Sequence, residues 1–192
     1  MDATHWHDVS DTDLLTAIAG SDAAAFERLY QLYEKRIYQY VCTLIYDPTL
    51  AEEVVVDAMT AVWRGAGGFS RSSRVSTWIF GIARHKALDA IRRSGRHRRD
   101  VALDEALELP NEQESPAESV NRKQVTSLTQ QALRTLSREH QEILRLVFYE
   151  EMPYEEIAVL LSIPTNTVKT RVYYAKQRLK HQLLQLGQGE RV

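Results

Sequence analysis

The sequence predicts an all-α protein: two small helical domains joined by a flexible acidic linker, the C-terminal one a helix-turn-helix. Three observations lead there. Apolar residues recur at steps of three and four along most of the chain, and no run alternates apolar and polar residues long enough for a strand. Only eight glycines and five prolines occur in 192 residues, which leaves room for long helices. Charge falls in blocks that the net value of −2 conceals. Residues 1–67 carry four basic and eleven acidic side chains, and residues 68–99 nine basic and one acidic. Residues 100–119 hold seven acids and no base, and residues 120–192 eleven bases and seven acids. The expected division is therefore a domain over 1–99, a linker over 100–120 and a second domain over 121–192.

In chain order, Asp11 is placed to cap a short helix through Leu14, Leu15 and Ile18 that ends at Gly20. Asp22 opens a longer one in which Phe26, Leu29, Tyr30, Tyr33, Ile37, Val41 and Leu44 share a stripe running to Tyr46, before Asp47-Pro48. These aromatics read as core. After Pro48 a third helix buries Val54, Ala58, Ala61 and Val62, clusters Glu52, Glu53 and Asp57 on another face, and stops at Gly65, Gly67 and Gly68. Acids in a first turn suit the helix dipole, so that acidic face needs no partner to explain it. A polar loop, Ser70 to Ser73, leads into a fourth helix with Ile79, Ile82, Ala83, Ala87, Ala90 and Ile91 inside. Arg84, Lys86, Arg92, Arg93, Arg96, Arg98 and Arg99 extend from that helix and its tail, with Trp78 and Phe80 near its start. Cations beside aromatics suit unpaired or melted nucleic acid.

The stretch 100–120, with Pro110 and Pro116, has no strong periodicity and reads as linker. The second domain begins near Asn121, with Val125, Leu128 and Leu133 on its first helix. Leu136-Ser137 forms a staple and cap before Ile143, Leu144, Val147 and Phe148. From Tyr154, Ile157, Leu160 and Leu161 mark a short helix that breaks at Ser162-Ile163-Pro164. Thr165 or Asn166 is placed to cap the next helix, whose Val168, Val172, Ala175, Leu179 and Leu183 form one apolar stripe. Thr167, Lys169, Thr170, Arg171, Tyr173, Tyr174, Lys176 and Arg178 point elsewhere. A helix with one buried stripe and a cationic remainder, braced by a short partner, is the plan for reading a DNA major groove.

Composition excludes several classes. Hydrophobic residues make up 44% and charged ones 26%, an ordinary soluble balance. Cys42 is alone, so no disulfide framework forms within the chain, which fits a reducing compartment. The acidic start, MDATHWHDVSDTD, has no apolar core and is not expected to be a signal peptide; His5 and His7 have no ligand cluster around them. No apolar run approaches the ~20 residues of a membrane span, so membrane insertion is not expected and the cytoplasm is. An enzyme has little support, since neither a Gly-rich phosphate loop nor a His/Cys metal spacing occurs, and no cofactor or metal is expected.

The order of motifs resembles the extracytoplasmic-function (ECF) sigma factors of bacterial RNA polymerase, over roughly Asp11 to Leu184. The residues that carry the resemblance in the first domain are Asp22–Phe26 with Leu29-Tyr30, Ala51–Val55 with Val62-Trp63, Thr77–Arg84 and Ala87–Arg93. In the second they are Leu136 with Glu142-Ile143, Tyr154–Ala158, Thr167–Arg171, Ala175 and Leu179. The resemblance implies that Glu52, Glu53, Val56, Asp57 and Trp63 dock on the clamp helices of the polymerase largest subunit, with the flap as a further polymerase contact. It implies that Arg71, Ser72, Ser73, Arg74, Trp78, Phe80, Arg84, His85, Lys86, Arg92 and Arg93 capture the melted minus-ten element. It implies that Thr165, Asn166, Thr167, Lys169, Thr170, Arg171, Tyr173, Tyr174 and Lys176 read the minus-thirty-five element, and that an anti-sigma factor controls the protein. The chain departs from the family's common residues at Val56 (usually Gln), His85 (usually Asn) and Ser162 (usually Gly), so core docking, the minus-ten contact and the turn should each differ in chemistry. A rival expectation is a stand-alone regulator that binds duplex DNA without polymerase.

Overall fold

The computed structural model describes residues 9–97 and 128–189, with side chains for 9–94 and 128–186. The residues called linker, together with Trp6, Val125 and the side chains of Arg96, Arg98 and Arg99, lie outside the described part. Every regular element among the described residues is helical. The chain divides into two compact units, Met1–Glu108 and Leu109–Val192.

In the first unit, α1 (Asp11–Ala19) is capped by Ser10 rather than Asp11; the Ser10 side chain accepts from the Asp13 amide. Asp11 sits one residue inside the helix, and its carboxylate takes the hydroxyl proton of the buried Tyr33 in a hydrogen bond that ties α1 to α2. Burial first, and the Asp11 carboxylate second, push the Tyr33 hydroxyl well above the usual tyrosine range, so it remains a donor. The second helix, α2 (Ala23–Val41), starts where expected: Asp22 Oδ1 accepts from Ala24 and Ala25 at 2.9 and 3.0 Å. Such a cap contributes about 1 kcal/mol. Leu29, Tyr33, Ile37 and Val41 are buried, whereas Phe26 and Tyr30 are half-buried at the rim. The helix ends at Val41, earlier than the stripe implied; Leu44 is buried in the connecting turn and Tyr46 turns outward.

α3 (Pro48–Gly65) carries Asp47 at its cap and Pro48 in its first turn, where a missing N–H costs nothing. Val54, Ala58 and Val62 are buried with Ala51, Val55 and Met59, while Ala61 is half-buried. A short 3₁₀ turn (Ala66–Gly68) follows. The Trp78 ring packs over Gly65, where an added Cβ would make ordinary contact at 3.4 Å. α4 (Val75–His97) packs on α3 and α2. Its inner face is Val75, Ile79, Phe80, Ala83, Ala87 and Ala90, with Ile82 and Ile91 half-buried at the edge. The three alanines allow close helix approach, and Phe80 supplies the bulk. It is fully buried, edge-on to Tyr40 at 5.2 Å, with the Arg36 guanidinium over its ring.

In the second unit a helical segment over 128–134 (α5) precedes α6 (Arg138–Phe148). Ser137 caps α6 as expected, and Leu136 is buried beside it, but Val147 is half-buried and Phe148 faces outward. Arg145 Nε and Nη2 both reach Glu150 Oε1 at 3.2 Å, a well-shielded ion pair that closes the turn after α6. α7 (Tyr154–Leu161) and α8 (Thr165–Gly189) are the two arms of the helix-turn-helix, and α8 packs on both α6 and α7. The caps expected from Thr165 or Asn166 are not formed. Both residues are already helical, and the Pro164 carbonyl takes the Thr167 and Val168 amides instead. Ser162 ends α7 in the left-handed conformation, φ +56° and ψ +45°. A side chain there is strained by roughly 1 kcal/mol, which glycine avoids.

Ser162→Gly is therefore expected to raise the stability of the second unit by about 0.5–1 kcal/mol, seen as a higher urea midpoint at unchanged slope. Ser162→Val should lower it, and equal midpoints for both variants would contradict the strain. Phe80→Ala should cost the first unit about 3–5 kcal/mol, the loss for emptying a filled core site. A loss under about 1 kcal/mol in the same denaturation would mean the ring does not hold α4 to α2.

Candidate nucleic-acid interfaces and an acidic docking face

Burying one stripe of α4 decides what the opposite stripe can offer. Trp78, His85 and Arg92 are seven residues apart and lie in line over about 21 Å of helix. His85 and Arg92 are exposed, as is Arg93, while Arg84 and Lys86 are half-buried. Trp78 is half-buried, its ring 5.3 Å from Phe69. Phe80, expected to stack on a base, cannot do so: it faces the core, and freeing it would mean opening that core. The alternation of sides along the helix separates these two aromatics, which proximity in sequence had joined. The loop before α4 is shaped by its own polar groups. Ser70 and Ser72 hydroxyls lie 2.8 Å apart, and Ser73 donates to the Arg74 carbonyl. Arg71 takes a left-handed φ of +57° and reaches back so that Nη2 donates to Thr16 Oγ1 on α1 at 3.2 Å. Non-glycine residues in that region concentrate at functional loops.

On α3, Glu52, Glu53, Val56 and Asp57 are all exposed, Val56 at 56%. The helix begins at Pro48, so Glu52 and Glu53 stand in its second turn, and the first turn holds no acid. The dipole effect fades beyond the first turn. The helix dipole therefore does not account for this acidic face, and the earlier expectation is corrected. Beside it runs a groove of about 270 Å³ between α2 and α3, lined by Tyr30, Glu34, Lys35, Tyr38, Glu52, Val55 and Val56. Partial burial, then Cys42 and Glu52, push the Tyr38 hydroxyl up to about 12, and burial with Glu34 raises that of Tyr30. Both phenols stay neutral, and the groove sets Val55 and Val56 beside the charged Glu34, Lys35 and Glu52. Trp63 stands apart from it, half-buried with its ring 5.1 Å from Phe26.

In α8, Val168, Val172 and Ala175 are buried, which turns Asn166, Lys169, Thr170, Tyr173, Tyr174, Lys176 and Arg178 to the outside. Thr165, Thr167 and Arg171 are half-buried. Thr170 donates its hydroxyl proton to the Asn166 carbonyl at 2.9 Å, leaving its oxygen able to accept. The Tyr173 and Tyr174 rings meet edge-on at 5.4 Å, stiffening a pair of large exposed side chains. Lys176 lies over Phe148 with Nζ 4.8 Å from the ring centre. Arg171 Nη2 is 3.6 Å from Glu139 Oε2, an exposed pair worth at most about 1 kcal/mol and so exchangeable for a phosphate.

Sequence reasoning did not pick out four supporting residues: Thr16 under Arg71, Asp89 between His85 and Arg92, Glu139 against Arg171 and Phe148 beneath Lys176. Asp89 had a local signal, since carboxylate and cations three and four residues apart on a helix meet. The other three contacts span elements and had none. Among the described residues no acid, histidine or cysteine cluster could hold a metal ion, and no helix is long and apolar enough to cross a membrane.

Residues 29–97 match the family described as Sigma-70 region 2, and residues 127–179 the one described as Sigma-70, region 4. Over 176 residues the chain is 32% identical to the ECF RNA polymerase sigma factor SigL of Mycobacterium tuberculosis, covering 90% of this chain and 97% of that one. It is 26% identical over 175 residues to the ECF RNA polymerase sigma factor SigW of Bacillus subtilis, covering 86% and 92%. The fold is similar to that of the sigma factor RpoE in complex with the anti-sigma factor NepR from Bartonella quintana, with TM-score 0.68 and 23% identity over 82% of this chain and 96% of that one. It is also similar to CnrH in complex with the cytosolic domain of CnrY, with TM-score 0.61 and 21% identity over 95% and 97%. A relative at that level of identity along nearly the whole length of both chains, with two sigma regions matched in order, places the sequence in a family: the chain belongs to the ECF sigma factors of the sigma-70 family.

Proposed function

We propose that this protein is a non-catalytic transcription initiation factor of the cytoplasm, which joins core RNA polymerase and brings it to promoters by a two-part DNA contact. The observation that carries the reading is the pair of outward helical faces on separate units. Each is cationic and aromatic, and each lies within a matched sigma region. In this reading the loop Arg71–Arg74 and the α4 stripe of Trp78, Arg84, His85, Lys86, Arg92 and Arg93 hold the melted minus-ten strand. The α8 face from Thr165 to Lys176 reads the minus-thirty-five duplex, with Lys169 and Arg171 on phosphates or guanine edges. Glu52, Glu53 and Asp57 around Val56 dock on a basic element of the polymerase, the valine replacing a polar contact with an apolar one. Domain boundaries near 99 and 121 follow from the same division. The solved complex of the sigma factor RpoE with the anti-sigma factor NepR supports control by an anti-sigma factor.

Run-off transcription with purified core polymerase on a library of genomic promoter fragments tests the reading. Initiation at a discrete subset of fragments is expected only when the protein is present, and no such subset would contradict it. With Lys169 on a phosphate, Lys169→Ala should weaken holoenzyme binding on those fragments about equally and make the salt dependence shallower by about one unit of slope, whereas a loss confined to fragments sharing one base pair would place it on a guanine edge.

A further inference from the structure

Packing divides the outside of α8 into a stripe and two flanks. Val168, Val172 and Ala175 are buried. Each residue turns an α-helix by about 100°, so Thr170, two residues from both valines, points nearly opposite the core. Asn166 and Tyr173, four residues before it and three after, share that direction, and all three are exposed. This stripe carries no charge and spans about 10 Å, or about three base-pair steps. The flanks are held by α6. Arg171 Nη2 lies 3.6 Å from Glu139 Oε2 in the first turn of α6, and Lys176 Nζ lies 4.8 Å from the ring centre of Phe148 at its end. Five residues apart on α8, the two cations leave it about 140° from each other, one to either side of the stripe.

The stripe has a defined polarity. Among the described residues no hydrogen bond engages the Asn166 side chain; it is the backbone carbonyl of Asn166 that accepts the Thr170 hydroxyl proton, at 2.9 Å. In the major groove adenine shows an acceptor at N7 beside a donor at N6, whereas guanine shows two acceptors, N7 and O6. The Asn amide carries a donor and an acceptor side by side, so of the four base edges adenine alone satisfies both. Thr170, its proton turned back to the helix, presents an acceptor and a methyl group and offers guanine no donor. The ammonium and guanidinium groups on the flanks only donate, and their surface contacts are weak enough to exchange for phosphates on the two walls of the groove.

Resting on the reading that α8 enters a major groove, we propose that the uncharged stripe selects the sequence and the flanking cations do not. Asn166 reads adenine, donating to N7 and accepting from N6, while Arg171 and Lys176 hold the phosphates on either side.

The test uses holoenzyme, assembled from core polymerase and the full chain, with a duplex promoter fragment that supports initiation, randomised over its upstream contact. Bound duplexes are recovered and sequenced. The wild type should enrich adenine at one position by about five- to a hundredfold, the worth of one bidentate base contact. Asn166→Ala should abolish that enrichment and leave the other positions as they were. Asn166→Asp, of the same shape but with acceptors only, should move the preference there to cytosine, whose N4 donates. Lost packing alone would weaken all duplexes alike without changing which base is chosen. At that position 7-deazaadenine, which lacks the N7 acceptor, should bind about three- to tenfold more weakly than adenine. Lys176→Ala should weaken every duplex by a common factor and preserve each preference. Identical enrichment in wild type and Asn166→Ala would overturn the proposal, as would an Asn166-dependent preference for another base, an Asn166→Asp protein that still prefers adenine, equal binding of adenine and 7-deazaadenine, or a preference lost at one position in Lys176→Ala. A wild-type holoenzyme that enriches no base at any randomised position would contradict the promoter reading itself, and this proposal with it.

Discussion

The packing of α4 against α2 and α3 is the constraint from which the rest of the first unit follows. Phe80 sits edge-on to Tyr40 under the Arg36 guanidinium, and Ala83, Ala87 and Ala90 bring the helix close to its neighbours. Once that stripe is committed inward, helical periodicity leaves Trp78, His85 and Arg92 in line on the other side. The Arg71 loop is then held between the end of α3 and the start of α4, with a long-range tie from Arg71 to Thr16 on α1. The second unit repeats the logic with Val168, Val172 and Ala175 inward and Lys169, Tyr173 and Lys176 outward. In both units the shape of the core decides which cations are available.

Those cations are held lightly. The Arg171–Glu139 and Asp89-centred pairs lie at the surface, where ion pairs contribute at most about 1 kcal/mol. They keep long side chains in place without binding them so tightly that a phosphate cannot compete. The Arg145–Glu150 pair behaves differently: both side chains are shielded, and removing either partner would strand a charge, so it belongs to the fold rather than the interface. Two modest DNA contacts on separate units become strong together only when something holds both in place, because the second contact is then intramolecular. In the proposed function the polymerase supplies that geometry.

Much of this was legible from the chain alone. Helical periodicity gave the all-α fold, and Asp22, Asp47-Pro48 and Ser137 gave three helix starts, because caps are local chemistry. Ser162 was marked only by the family resemblance, as a departure from the usual glycine, and the structure supplies the reason in its left-handed conformation. Some features were misread or invisible. Phe80 was grouped with Trp78 because both are aromatic and two residues apart, although two steps on a helix turn a side chain to a different face. The cap of α8 was assigned to Thr165 or Asn166, but both are already helical and the Pro164 carbonyl serves the Thr167 and Val168 amides. The acidic residues of α3 were read as first-turn charges until Pro48 fixed the helix start four residues before Glu52. The ties of Arg71 to Thr16 and of Arg171 to Glu139 link distant residues, and no local pattern encodes them.

The central claim is that the two DNA-facing helices act as one reader only on the polymerase, and fluorescence anisotropy tests it directly. A labelled promoter duplex that supports initiation is titrated with the free protein and with the protein bound to core polymerase, at one fixed salt concentration. The account predicts weak binding by the free chain, little different from that to a scrambled duplex, and tight sequence-dependent binding once core is present. Tight, specific binding by the free chain, unchanged by core, would contradict it and favour a stand-alone duplex-binding regulator.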